Sequence, residues 1–283
     1  MFRLEPCMPA SSVLISILKA FPHGRIVRRL VSEIASRSPA SVREGVASLY
    51  NGQRMRVDLA DYIGQQLAAE GSFELTMVET AMSHLKPGDV FIDVGAHMGF
   101  YSLVASRAVG AAGSVHAFEP GEKQHRLLSD NVRMNNLGNV RVNKKGVSNK
   151  PGSATFVEGP SRNLGESYVS QGGQGGGPTI DLVTLDDYCR EQGITQLGGM
   201  KVDVEGLEEF VFQGAQDVLS RLRPRVIIYE SVEAHAAKFG SSPDKVHAII
   251  RGHGYAIRAF RHDKVVDPAT CTPPAHDFIA TLE

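Results

Sequence analysis

The sequence predicts an α/β fold: a doubly wound, seven-stranded, mostly parallel sheet whose last strand runs antiparallel, with a helical N-terminal extension. Two observations carry this. From residue 90 onward, apolar runs of strand length alternate with stretches of helix length, the pattern of a parallel sheet covered on both faces. The final two runs are separated only by "HDKVVDPATCTPPAH" (262–276), a proline-bearing loop with no crossover helix, so they pair antiparallel. With 283 residues, 42% of them hydrophobic, the chain is long enough to bury a sizeable core.

Residues 1–70 read as helical and mixed, in three pieces: "SSVLISILKAF", "GRIVRRLVSEIASR" and "ADYIGQQLAAEG". In the second, Ile26, Leu30 and Ile34 recur every four residues and share one helix face. The main domain is expected over 71–283. Its lead-in helix, "ELTMVETAMSHL", stops at "KPGD". "VFIDV" is then the first strand and "GFYSLVASRAVG" the helix behind it. "SVHAFEP" and "GEKQHRLLSDNVRMNN" form the second pair, and "NVRVNKKGVS" is the third strand. "GSATFVEG" reads as an extra hairpin strand, and "QGGQGGGP" as a flexible loop. Thr184 suits the N-cap of a short helix, "TLDDYCREQG". "GMKVDVEG" is the fourth strand, followed by a helix whose face carries Val211, Ala215, Val218 and Leu222. "RVIIYE" is the fifth strand, "SPDKVHAIIRGHG" a helix, "YAIRAF" the sixth strand and "DFIATL" the seventh.

Composition excludes several classes. A net charge of −1 provides no footprint for nucleic acid. Three cysteines (Cys7, Cys189, Cys271), far apart and odd in number, form neither a disulfide framework nor a CxxC metal site. The apolar stretch Val13–Phe21 is broken by Ser16 and Lys19, too short to span a membrane and without a cleavage signal, so a cytoplasmic protein is expected.

The most telling stretch is "FIDVGAHMGFYS" (91–102), where Asp93 closes an apolar strand and the chain thins to Gly95, Ala96 and Gly99. Such a turn lets backbone N–H groups approach a ligand or the next helix. A dinucleotide site wants GxGxxG, with the middle glycine beneath the pyrophosphate. Here the glycines stand four apart and His97 fills the middle position, which disfavours a pyrophosphate. Glu119, at the end of the next strand, can take both ribose hydroxyls. The pair therefore points to a nucleoside without a diphosphate.

"FIDVGAHMGFYSLVAS", "VHAFEP" and "KVDVEGLEEFVFQGA", in that order, resemble the FkbM family of S-adenosylmethionine-dependent methyltransferases over roughly residues 70–260. The lead-in "GSFELTMVE" is similar as well, whereas His97 departs from the family, which often carries Asn there. The resemblance implies the class I methyltransferase fold and methyl transfer from S-adenosylmethionine to an oxygen of a small-molecule acceptor, such as a sugar or polyketide. It implies that Asp93, Gly95, His97 and Gly99 form the turn under the methionine half and that Glu119 holds the ribose. Val147 and Ser148 would lie near the adenine. Glu74 either reaches the cofactor or caps its helix. A non-catalytic cofactor-binding module and a nicotinamide-dependent oxidoreductase are the rival readings, the second opposed by the glycine spacing.

In "KVDVEG", strand alternation sets Lys201, Asp203 and Glu205 on one side. Charges on a central parallel strand are costly unless paired or wet. Three roles are open: Asp203 or Glu205 as general base, the two together holding a divalent metal such as Mg2+, or Lys201 and Glu205 as an internal ion pair. Glu230, ending the fifth strand, is a further candidate for acceptor contact, while His235 and His253 read as surface residues. Residues 1–70 and the glycine-rich loop 172–177 are the expected walls of the acceptor pocket.

Overall fold

The computed structural model describes residues 10–21, 25–159, 167–170, 177–261, 264–272 and 274–282. The chain divides into two compact units at Phe73/Glu74.

The N-terminal unit carries helices α1 (Ala10–Ala20), α2 (Arg25–Ser36) and α3 (Ala40–Arg43), a hairpin of β1 (Glu44–Ser48) and β2 (Arg54–Asp58), and α4 (Tyr62–Glu70). The hairpin departs from the helical expectation. Its turn holds Asn51-Gly52, with Gly52 at φ +85°, and Ala47, Met55 and Val57 form its buried face. Arg43 grips the fully buried Asp58 through two hydrogen bonds of 2.8 and 3.0 Å. The Ile26–Leu30–Ile34 stripe does lie on one helix face, but that face is exposed. Val31 and Ala35 are the residues α2 buries.

The larger unit begins with α5 (Leu75–Ser83) and then alternates. It carries β3 (Val90–Val94), α6 (Phe100–Val109), β4 (Ser114–Phe118), α7 (Glu122–Met134) and β5 (Val140–Asn143). A small second sheet follows, of β6 (Gly146–Val147), β7 (Gly152–Val157), β8 (Tyr168–Ser170) and β9 (Thr179–Val183). The chain returns through α8 (Leu185–Glu191), β10 (Gly199–Val202), α9 (Glu208–Gln213), β11 (Val226–Glu230), α10 (Glu233–Ala236), α11 (Pro243–Gly252), β12 (Tyr255–Arg261), β13 (Lys264–Val266) and β14 (Asp277–Leu282).

The main sheet runs β13-β12-β14-β11-β10-β3-β4-β5. The seven expected strands are all present, with β14 antiparallel to both β11 and β12, and the short β13 adds an eighth at the edge. The expected third strand is in fact two. β5 pairs with β4, whereas Gly146–Val147 leaves the main sheet to pair with β9. The extra strand β7 joins that second sheet beside β8 and β9.

Alternation along the central strands decides what faces where. Ile92, Val94, Met200 and Val202 enter one large core cluster with Phe212, Tyr229 and Ile250. Asp93 and Lys201, one residue out of phase with these, lie opposite each other in register on the other face. The chain leaves β3 toward β4 and returns to its other side as β10, so the strand order reverses there. A crevice at such a reversal, outside the carboxyl ends of the strands, is where open α/β sheets bind ligands.

Candidate active site

The glycine turn is shaped first by the protein itself. Gly95 sits at φ +74°, and a Cβ there would lie 1.8 Å from the Asp203 carbonyl oxygen. Gly99, at φ +94°, would meet Leu128 Cδ1 of α7 at 2.4 Å. Both glycines therefore permit close approach of neighbouring chain. His97 also takes a positive φ, 52°, which turns its N–H onto Glu119 Oε2 at 2.8 Å.

Glu119 just follows β4, is 6% exposed, and accepts a second backbone hydrogen bond from Gly121 at 2.8 Å. Burial raises its carboxyl above the ordinary range, countered by His97 and by these two N–H donors. A carboxylate offers about four acceptor positions. Two are committed to backbone, and the remainder fit the vicinal hydroxyls of a ribose. Ala96, at 5% exposure, and the half-buried His97 flank it. The residues present therefore suit the nucleoside part of S-adenosylmethionine.

Asp93 is fully buried and accepts from Ser102 Oγ of α6 at 2.5 Å. Lys201 Nζ stands 4.0 Å from Asp93, 3.1 Å from Asp203 and 2.6 Å from the Gly95 carbonyl, to which it donates. One ammonium thus ties the end of β10 to the end of β3 and to the turn between. Burial alone would lower Lys201, but Asp203 and Asp93 outweigh it and hold the group at about 12. Its side chain is only 9% exposed, against 39% for Asp203. Of the strand's charges, Asp203 is the one open to an incoming group, and Lys201 positions it.

Glu205 corrects the sequence reading. β10 ends at Val202, and Glu205 lies in a turn at φ 57° rather than on the strand. It does not pair with Lys201 but with His235 Nδ1, at 2.8 Å. His235, expected on the surface, is half-buried in this contact. Asp203 is not among the three groups whose ligating atoms, among the described residues, fall within 4.8 Å of one another: Glu205, Glu230 and His235.

Glu74 does not cap α5 with its side chain. It accepts from Tyr101 OH at 2.9 Å, and Tyr101 lies over the Lys201 ammonium, 5.5 Å from ring centroid. Burial, reinforced by Asp277 and Asp203, pushes Glu74 up to about 8. Burial and the surrounding Asp203, Glu205, Asp277 and Glu208 push Glu230 to about 10. Asp277 enters because β14 is antiparallel. Its first residue pairs with Glu230, the last of β11, bringing both carboxyls to the same sheet edge. Tyr101 and Asp277 were not singled out from the sequence, and His235 was read there as a surface residue. Only the antiparallel ending could have signalled Asp277.

Val147 is committed to the core cluster, and the Ser148 carbonyl packs under Gly214, whose Cβ would approach it to 2.2 Å. Of the glycine-rich loop, 172–176 lie outside the described residues. No described helix is long and apolar enough to cross a membrane.

Comparison with known proteins places the chain in a family. The methyltransferase FkbM domain family matches residues 93–257. The chain is 29% identical over 204 residues to the 31-O-demethyl-FK506 methyltransferase FkbM of Streptomyces tacrolimicus, covering 62% of this chain and 75% of that one. It is 29% identical over 216 residues to the methyltransferase sdnD of Sordaria araneosa, covering 66% and 81%. It is 26% identical over 163 residues to the hexuronic acid methyltransferase AglP of Haloferax volcanii, covering 58% and 63%. The matched segment runs from the glycine turn through the charged strand end to β12, and the chain belongs to the FkbM methyltransferase family.

Proposed function

We propose that this protein is an S-adenosylmethionine-dependent O-methyltransferase acting on a hydroxyl of a small-molecule acceptor, a sugar or polyketide-like compound. The observation that carries the cofactor is Glu119, buried after β4 with its two oxygens held by the N–H groups of His97 and Gly121. A carboxylate fixed in this way is oriented before a diol arrives, so little ordering entropy remains to be lost on binding. When bound, S-adenosylmethionine supplies a methyl group made electrophilic by its sulfonium.

An alcohol must lose its proton as its oxygen takes up a methyl group, so a base is needed beside the acceptor. Asp203 fits: it follows the last residue of β10, is partly exposed, and is oriented by Lys201 at 3.1 Å. Its backbone is fixed too, through its N–H to Val94 O at 3.1 Å. Glu74, raised to about 8 by burial, holds its proton at neutral pH and is a hydrogen-bond donor there rather than a base. Lys201 binds Gly95 and Asp203 and leaves little of itself for substrate. The names of two relatives, an FK506 methyltransferase and a hexuronic acid methyltransferase, support polyhydroxylated or glycosylated acceptors as the first to try. The test is formation of S-adenosylhomocysteine with a panel of glycosides, uronic acids and hydroxylated macrolides. Product from at least one hydroxylated acceptor, lost when that hydroxyl is replaced by hydrogen, supports the reading. Transfer to an amine or carbon instead would overturn it.

A further inference from the structure

We propose that Glu205, Glu230 and His235 bind a divalent transition-metal ion that takes the acceptor's hydroxyl oxygen. The proposal rests on the reading of this sheet edge as the acceptor side of a methyltransferase. The three side chains come from three separate segments: the turn after β10, the end of β11 and α10. Each offers one ligating atom, and these atoms lie within 4.8 Å of one another, with His235 Nδ1 and Glu205 Oε2 2.8 Å apart. Ligands around a zinc-sized ion lie roughly 3–4 Å from each other, so only rotamer-scale adjustment separates this arrangement from a coordination shell. Two carboxylates and an imidazole neutralise a dication, and the imidazole favours Mn2+, Fe2+, Co2+ or Zn2+ over Mg2+. Three protein ligands leave a position open, as in catalytic rather than structural sites.

A second observation concerns Glu208. It is 1% exposed, and its Oε1 accepts the N–H groups of Val204 and Gly206, both at 3.1 Å, which bracket Glu205. Its other oxygen, Oε2, is buried without a hydrogen-bond partner among the described residues. An unpaired buried oxygen beside these groups is costly, a cost that a bound dication lowers. Support from behind a ligating residue is the usual accompaniment of a metal site. An ion held there would make a bound hydroxyl give up its proton more readily, and Asp203, the base of the proposed function, would receive it.

The test is titration of chelator-stripped full-length protein with Mn2+, read by electron paramagnetic resonance, and with Zn2+, read by calorimetry. We expect one ion per chain in the wild type. Binding should weaken at least tenfold in Glu230→Gln and in His235→Asn, and stay unchanged in Glu233→Gln, an exposed neighbour. The wild-type titration needs no variant to fold. The absence of stoichiometric binding there, or equal affinity in folded variants, overturns the proposal. Methyl transfer that persists in a chelator also overturns it while leaving the proposed function standing. One ion bound at these residues, with no methyl transfer to any acceptor, supports the site and removes the function.

Discussion

Gly95→Ala is the substitution whose consequence follows most directly from the geometry. The new Cβ would fall 1.8 Å from the Asp203 carbonyl oxygen, a backbone atom that cannot rotate away. Either the turn or the end of β10 must recede by more than an ångström. The displacement strains three hydrogen bonds: Asp203 N to Val94 O at 3.1 Å, Lys201 Nζ to Gly95 O at 2.6 Å, and Gly95 N to Phe118 O at 3.0 Å. A non-glycine residue at φ +74° adds about 1–2 kcal/mol. If one or two of those buried bonds are lost, at about 1–3 kcal/mol each, the total is about 2–8 kcal/mol. For a chain of this size that lowers the melting temperature by roughly 5 °C or more. Differential scanning calorimetry measures it, alongside cofactor affinity. A ligand-clearance role predicts something else, a normal melting temperature with lost binding. Melting within about 2 °C of the wild type would refute the packing argument.

Asp203→Asn should bind S-adenosylmethionine with near-wild-type affinity and lose 10²–10⁴ in turnover, because the amide keeps the shape but cannot accept the proton. Single-turnover kinetics on a reactive acceptor checks this, and near-normal turnover removes Asp203 as the base. Glu74→Gln tests the electrostatics. Its folded value of about 8 exceeds the ordinary 4.5, so its stabilising contribution is full below about 4.5 and is lost as pH rises through about 8. The wild-type melting temperature should therefore fall between about pH 4.5 and 8, and fall less in Glu74→Gln. Parallel curves for the two proteins would show that Glu74 does not titrate there. Some slope should remain in the variant, because Glu230, held at about 10, titrates in the same direction.

The succession of strands along the chain was legible because each is short and apolar and most are followed by a helix. The antiparallel ending was legible because fifteen residues of proline-bearing chain cannot supply a crossover helix. What was misread involves pairing rather than pattern. "NVRVNKKGVS" looks continuous, yet Gly146–Val147 turns to β9, a partner that no local periodicity reveals. The N-terminal hairpin did carry a local signal, Asn51-Gly52, overlooked because apolar spacing around it suggested helices. Ile26, Leu30 and Ile34 show the limit of periodicity: it identifies a face but not whether anything covers it. At the site, Lys201 and Asp203 meet as strand alternation implied, although Asp203 lies just past the strand, and Asp93 joins them because it faces Lys201 in register on β3. Glu205 escaped because the strand stops three residues earlier, at Val202, and the αL turn re-aims its side chain toward His235.

The central claim is that the Glu119 carboxylate holds a nucleoside cofactor at the end of β4. Calorimetric titration of S-adenosylmethionine into the wild type and Glu119→Ala tests it most directly, with melting temperature recorded to separate binding from folding. The wild type should bind one cofactor per chain. Loss of hydrogen bonds to a charged group should weaken binding in the variant by about 2–3 kcal/mol. The variant should also melt lower, because His97 N and Gly121 N lose their acceptor. A wild type that does not bind, or a folded Glu119→Ala that binds as tightly as the wild type, would contradict the account.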